Sequence, residues 1–147
     1  MSDMVVRDSI SHYIQSLIEN HTGIHEIWLF GSQADGNATP SSDWDLLVFA
    51  DDSTLQQMRK DSQLQSSMYD LFVVHDGNRF EQPWGENPKR GSLNEWKWER
   101  KSSHEAEYRA TRPTKAPDKL VDVSIGKAYR LWPDQVSASQ NQPNEKF

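Results

Sequence analysis

The feature that most constrains this chain is an apolar strand that opens on two carboxylates. In "DWDLLVFA", Asp43 and Asp45 lead into a run that is apolar on both sides of its alternation, as in a strand covered on both faces. Residues i and i+2 of a strand share a face, so Asp43 and Asp45 project side by side, with Leu47 and Phe49 following on that face. Like charges so placed raise each other's proton affinity, and burial adds to the cost unless a cation sits with them. Hard oxygen donors at this spacing suit Mg²⁺, which takes a few carboxylates and completes its shell with water and phosphate oxygens. A third candidate, Asp70, stands alone in the otherwise apolar "MYDLFVV". If that strand lies beside "DWDLLVF", Asp70 reaches the same cluster. Three carboxylates can hold two metal ions, which clamp the attacking and leaving oxygens of an in-line displacement at phosphorus.

Upstream, the strand "IHEIWLF" (Ile24 to Phe30) runs into Gly31 and Ser32, with ten residues between Ser32 and Asp43. Gly31 has no Cβ, so its backbone can approach a ligand closely. Successive amide N–H groups in a turn form an anion-binding concavity, and Ser32 adds a hydroxyl donor. The pair therefore reads as a phosphate cradle beside a metal site.

Together, "LFGSQADG" and "SSDWDLLVF" resemble the signature of the nucleotidyltransferase superfamily that includes DNA polymerase beta. That signature is an apolar strand, Gly-Ser, a short spacer, Asp-x-Asp opening a second strand, and a further carboxylate on a later strand. Gly31, Ser32, Asp43, Asp45 and Asp70 occupy those positions, and the resemblance covers Ile24 to Val74. The small size is similar to the minimal nucleotidyltransferases, including antitoxins that transfer AMP to a HEPN-type helical toxin partner. The resemblance implies a small mixed β-sheet with helices on one side. It implies that Asp43, Asp45 and Asp70 bind two Mg²⁺ ions, that Gly31 and Ser32 hold a nucleoside triphosphate, and that Asp70 helps deprotonate a hydroxyl acceptor. The implied activity is transfer of a nucleoside monophosphate, AMP from ATP, to that acceptor, which can be a protein. The chain departs from the minimal members at Asp35, where many carry Arg. That departure motivates a second expectation, a catalytically silent module of the same fold that binds a nucleotide or a partner, such as the antitoxin of a toxin–antitoxin pair.

The rest of the chain sets the frame. At 147 residues it is read as one domain over 1–132, with a motif core at 24–76, an extension at 77–132 and a disordered polar tail at 133–147. A net charge of -6 argues against strong non-specific nucleic-acid binding, and the absence of cysteine excludes disulfides and thiolate metal sites. The N-terminus lacks a basic start before an apolar run, and no apolar stretch approaches the ~18 residues of a membrane span, so a cytoplasmic protein is expected.

Val5, Ile10, Ile14, Leu17 and Ile18 recur at helical spacing and predict a helix over Met4 to Asn20. "DDSTLQQMRKDSQLQSS" predicts a short helix facing inward through Leu55 and Met58, with Asp51 and Asp52 at a strand end and cap. "GNRFEQPWGENPKRGS" reads as a loop, within which Lys89 and Arg90 are solvated or phosphate-facing cations. "LNEWKWER" and "EAEYRATR" read as a β-hairpin with Trp96 and Trp98 facing Tyr108. "PDKLVDVSIGKAYRLW" places Val121, Ile125, Ala128 and Trp132 on one helical face and predicts a helix, although "VDVSI" also alternates. Trp84, Trp96 and Trp98 are expected in the core rather than stacked on a base, His75 at a strand end, and Asp76 in the turn "HDGN".

Overall fold

The computed structural model describes residues 2–35, 43–112 and 122–133. Helix α1 spans Ser2–Asn20 and strand β1 Ile24–Phe30, followed by a single helical turn, α2, at Ser32–Asp35. Strand β2 (Trp44–Ala50), helix α3 (Asp52–Lys60), a 3-10 turn at Ser62–Leu64 and strand β3 (Tyr69–Val74) complete the first half. Beyond them lie β4 (Arg79–Glu81), β5 (Arg90–Ser92), β6 (Glu99–Arg100), β7 (Glu105–Arg112) and β8 (Asp122–Trp132). All eight strands share one sheet, in the order β5-β4-β3-β2-β1-β8-β7-β6. Among the described strands only β2 and β3 pair in parallel, and α3 is the crossover that a parallel pair requires.

Strand alternation divides the apolar residues into two cores. On one face Ile27, Leu29, Leu46, Val48, Leu71 and Val73 pack under Ile14 and Leu17 of α1 and Leu55 and Met58 of α3. On the other face Trp28, Phe30, Leu47, Phe72 and Val74 meet Phe80, Ala106, Tyr108 and Ala128. That second core joins β4, near one end of the sheet, to β7, near the other, so the sheet curls over itself. Trp96 bridges the curl, its ring 4.7 Å from Phe80 and 5.2 Å from Tyr108. Helices thus cover one side of a mixed sheet, and the sheet's own far strands cover the other. The C-terminal end of α3 is closed from outside, where Trp84 Nε1 donates to the carbonyls of Met58 (2.7 Å) and Asp61 (3.1 Å).

Three expectations change. The segment expected as a C-terminal helix is strand β8, paired to both β1 and β7. Its alternation buries Gly126 and Ala128 and leaves Ile125 57% exposed, which no helical face through Ile125 and Ala128 allows. A strand also avoids the cost of about 1 kcal/mol for glycine inside a helix. The hairpin is shorter on its first side, since only Glu99 and Arg100 pair with β7, and Trp96 and Trp98 reach Tyr108 from a turn. The expected loop holds β4 and β5, paired through Phe80↔Gly91 and Glu81↔Arg90. The tail beyond Pro133, and Val121, fall outside the described residues.

Gly126 faces Tyr108 across the β7–β8 ladder, and a Cβ there would sit 2.5 Å from the phenol Cζ. Gly126→Ala should therefore destabilise the fold by about 1–3 kcal/mol, the usual cost of overpacking. Urea unfolding should show a lower midpoint with an unchanged slope.

Candidate active site

The parallel register places Asp45 opposite Asp70. Both lie on the aromatic face of their strands, in line with Leu47 on β2 and Phe72 on β3. They line a cleft of about 720 Å³ whose floor is Phe30, Phe72, Phe80, Trp96 and Tyr108. Both carboxylates are half-buried, whereas Asp43, just ahead of β2, is exposed and does not line the cleft. Burial, then the charges of Asp70 and Asp43, push the Asp45 carboxyl up to about 6, against the opposing pull of Lys89. Burial also raises Asp70, with Asp43 adding to the rise and Lys89 and a hydrogen bond from Gln82 opposing it.

Gly31 turns directly over this pair. Its φ of +79° is a conformation that glycine adopts freely, and a Cβ there would collide with the Asp45 carboxylate. The Gly31 N–H donates to the Tyr108 hydroxyl at 3.0 Å, and the Gly31 carbonyl accepts from Ala34 N–H at 3.0 Å to begin α2. One amide of the expected phosphate cradle is therefore engaged by the extension. Ser32 opens α2, and its side chain, like that of Asp35, lies outside the described residues.

Two site residues escaped sequence reasoning. Gln82 Nε2 donates to Asp70 Oδ1 at 2.5 Å, while Gln82 Oε1 accepts from the Lys89 N–H at 3.0 Å. Tyr108 was expected only as an aromatic partner of the tryptophans, and it also reaches Gly31. The signal for Gln82 lies in the complementary pair Glu81 and Arg90, whose antiparallel pairing sets Gln82 beside Lys89. The remaining candidates serve the frame. Asp51 pairs with His25 (2.7 Å), Asp52 with His75 (2.9 Å), and Asp76 accepts the turn N–H groups of Asn78 and Arg79. Trp98 packs in the aromatic core, and Trp96 does so while also lining the cleft.

The donor set bears on magnesium in two ways. Two adjacent carboxylates without an ion-pair partner among the described residues are what a hard divalent cation neutralises. Among the described residues, no three His, Asp or Glu side chains are grouped closely enough to enclose a metal ion. Asp45 and Asp70 therefore fit one side of a shell whose remaining positions belong to water and phosphate oxygens, the usual division for Mg²⁺.

The structure thus sets the Gly31 turn against Asp45, with Asp70 opposite on the next strand. Residues 12–75 match the family model described as "Polymerase beta, Nucleotidyltransferase". That segment, somewhat under half of the chain, is similar to polymerase beta-like nucleotidyltransferase domains. The match ends before Gln82, Lys89, Trp96 and Tyr108. No curated protein and no solved structure matches the chain significantly. No helix among the described residues is long and apolar enough to cross a membrane.

The raised Asp45 carboxyl gives a signed prediction for the metal-free protein. Between about pH 4 and 6 the folded chain holds a proton at Asp45 that the unfolded chain has already released. Stability therefore falls as pH rises through that window. Asp45→Asn removes this penalty. With chelator present, its melting temperature should match wild type near pH 4 and exceed it by a few degrees at pH 7. A constant offset at both pH values would contradict the electrostatic origin.

Proposed function

We propose that the protein is a Mg²⁺-dependent nucleotidyltransferase that moves a nucleoside monophosphate, AMP from ATP, onto a hydroxyl acceptor. The observation that carries this reading is the pair Asp45 and Asp70, half-buried and adjacent under the Gly31 turn at one end of an aromatic cleft. Asp45 and Asp70 would hold the metal, with Asp43, exposed outside the cleft, adding its negative charge from nearby. When bound, the ion would neutralise the triphosphate and favour attack at the α-phosphorus. The acceptor oxygen bonds to that phosphorus as the bond to pyrophosphate breaks. Asp70 Oδ1 is engaged by Gln82, which leaves Oδ2 to receive the acceptor proton. The raised proton affinity of Asp70 suits that role. The floor of Phe30, Phe72 and Trp96 keeps water from the deep side of the reacting groups.

One observation favours a second reading. Because the Gly31 N–H is taken by the Tyr108 hydroxyl, a triphosphate must either displace that hydroxyl or do without this donor. A silent binding module, such as an antitoxin that holds a HEPN-type partner without turnover, would tolerate this contact unchanged.

The test is incubation with α-labelled ATP, Mg²⁺ and host lysate, following label into protein and small-molecule fractions. Asp45→Asn and Asp70→Asn should each lower transfer by about 100-fold or more while the fold persists, since several kcal/mol of charge stabilisation are removed. Asp43→Asn should lower it as well. Transfer that survives Asp45→Asn overturns the mechanism. No transfer by wild type with any of the four nucleotides supports the silent module.

A further inference from the structure

We propose that Lys89 is the polyphosphate-binding cation of the cleft and that Gln82 positions it. The proposal rests on the nucleotide-binding reading above, and it concerns residues outside the matched family segment.

The argument begins with the β4–β5 ladder. Across an antiparallel pair, directly opposed residues share a face, and successive pairs alternate faces. Phe80↔Gly91 points into the aromatic core, so Glu81↔Arg90 points to the helix side. Glu81 accordingly gathers the cations of that side, Arg90 Nε at 2.5 Å and Arg59 of α3 at 2.9 Å. The backbone bond from Gln82 N–H to the Lys89 carbonyl (3.0 Å) extends the ladder by one pair. Gln82 and Lys89 thereby return to the cleft side, where Gln82 meets Asp70 and Lys89 lines the cavity. Lys89 and Arg90 both line the cleft, as does Arg109, but the two neighbours are paired differently. Arg90 is ion-paired to Glu81, whereas Lys89 makes no ion pair among the described residues, although its charge is felt by both Asp45 and Asp70.

The cleft holds two carboxylates without an ion-pair partner among the described residues at one end, with Lys89 and Arg109 along its lining, and a ligand of mixed charge complements both. The ligand must bring positive charge to the carboxylates and negative charge to the lysine, which a divalent cation chelated by a polyphosphate does. Gln82 fixes the spacing of the two halves. Its amide binds Asp70 with one end and the Lys89 backbone with the other, so the metal side and the phosphate side are tied through one side chain.

The probes are inorganic tripolyphosphate and ATP, each titrated calorimetrically with excess Mg²⁺ into the full chain. Lys89→Gln should weaken both by about 10–100-fold, the worth of a charge-assisted contact to phosphate. Lys89→Arg should stay within a few-fold of wild type. Arg90→Gln, which removes a cleft cation already held by Glu81, should change binding less than about threefold. Gln82→Ala should weaken tripolyphosphate while Lys89 is still present, and in Mn²⁺ titrations should also weaken metal binding, which Lys89→Gln should leave intact. Lys89 is exposed and outside both cores, so Lys89→Gln should keep the fold and melt only slightly below wild type, because Asp45 and Asp70 lose an opposing charge. Wild-type affinity in Lys89→Gln, or equal losses in Arg90→Gln, overturns the proposal even where nucleotide transfer is observed. Loss of tripolyphosphate binding in Lys89→Gln, in a protein that transfers no label, upholds the proposal and overturns the transferase.

Discussion

A parallel strand pair fixes which residues face one another, and in this molecule it sets Asp45 against Asp70 inside a half-buried cleft. Much of the surrounding structure answers that repulsion. The turn above it has to be glycine, because any side chain at residue 31 would occupy the space of the Asp45 carboxylate. Among the described residues, the charge that opposes the rise of both acids is that of Lys89, beside a strand outside the matched segment. Gln82 gives Asp70 a hydrogen bond without adding charge. None of these supplies a full counter-charge, so the pair remains costly in the free protein. A fold that keeps such a cost in a cleft is best understood as keeping it for a ligand.

The two faces of the sheet are handled differently. On the helix side, charged groups find partners, as when Glu81 takes Arg59 and Arg90. At the far end of the curl, Arg100 does likewise with Glu26 (2.8 Å) while lying over the Trp28 ring. In the cleft, the carboxylates and Lys89 are close enough to feel one another without forming a pair. The contrast separates charges paired within the fold from charges left without an ion pair in the cleft.

The elements that carry the motif were legible because each has a local signal. β1, β2 and β3 are apolar runs of strand length, α3 has Leu55 and Met58 at helical spacing, and the single turn after Ser32 follows a glycine. The adjacency of Asp45 and Asp70 followed from one assumption about strand order. β8 was not legible, because small residues at 126 and 128 read as helix-compatible when they are in fact the space into which Tyr108 fits. β4 and β5 are three residues each, too short for periodicity to register, and their pairing spans a loop with two prolines. Gln82 and Tyr108 escaped for a related reason. Their roles depend on contacts 12 and 77 residues away in sequence, which no local pattern encodes.

These misreadings share a consequence for how the domain is built. With the extension treated as an appendage, the motif core is a three-stranded sheet whose second face, with Trp28, Phe30 and Phe72, has no cover, and β1 is an open edge. In the structure β8 pairs along β1 and removes that edge, and β7 brings Tyr108 over Phe30. Trp28 is fully buried as a result, and the cleft acquires its floor. The same strand that completes the hydrophobic core also delivers the hydroxyl that holds the Gly31 turn in place. The carboxylates, Phe30 and Phe72 belong to the matched segment, whereas Phe80, Trp96, the lysine and the contact on the turn come from the extension. What this cleft accepts is therefore determined by residues 79–108 as much as by the motif.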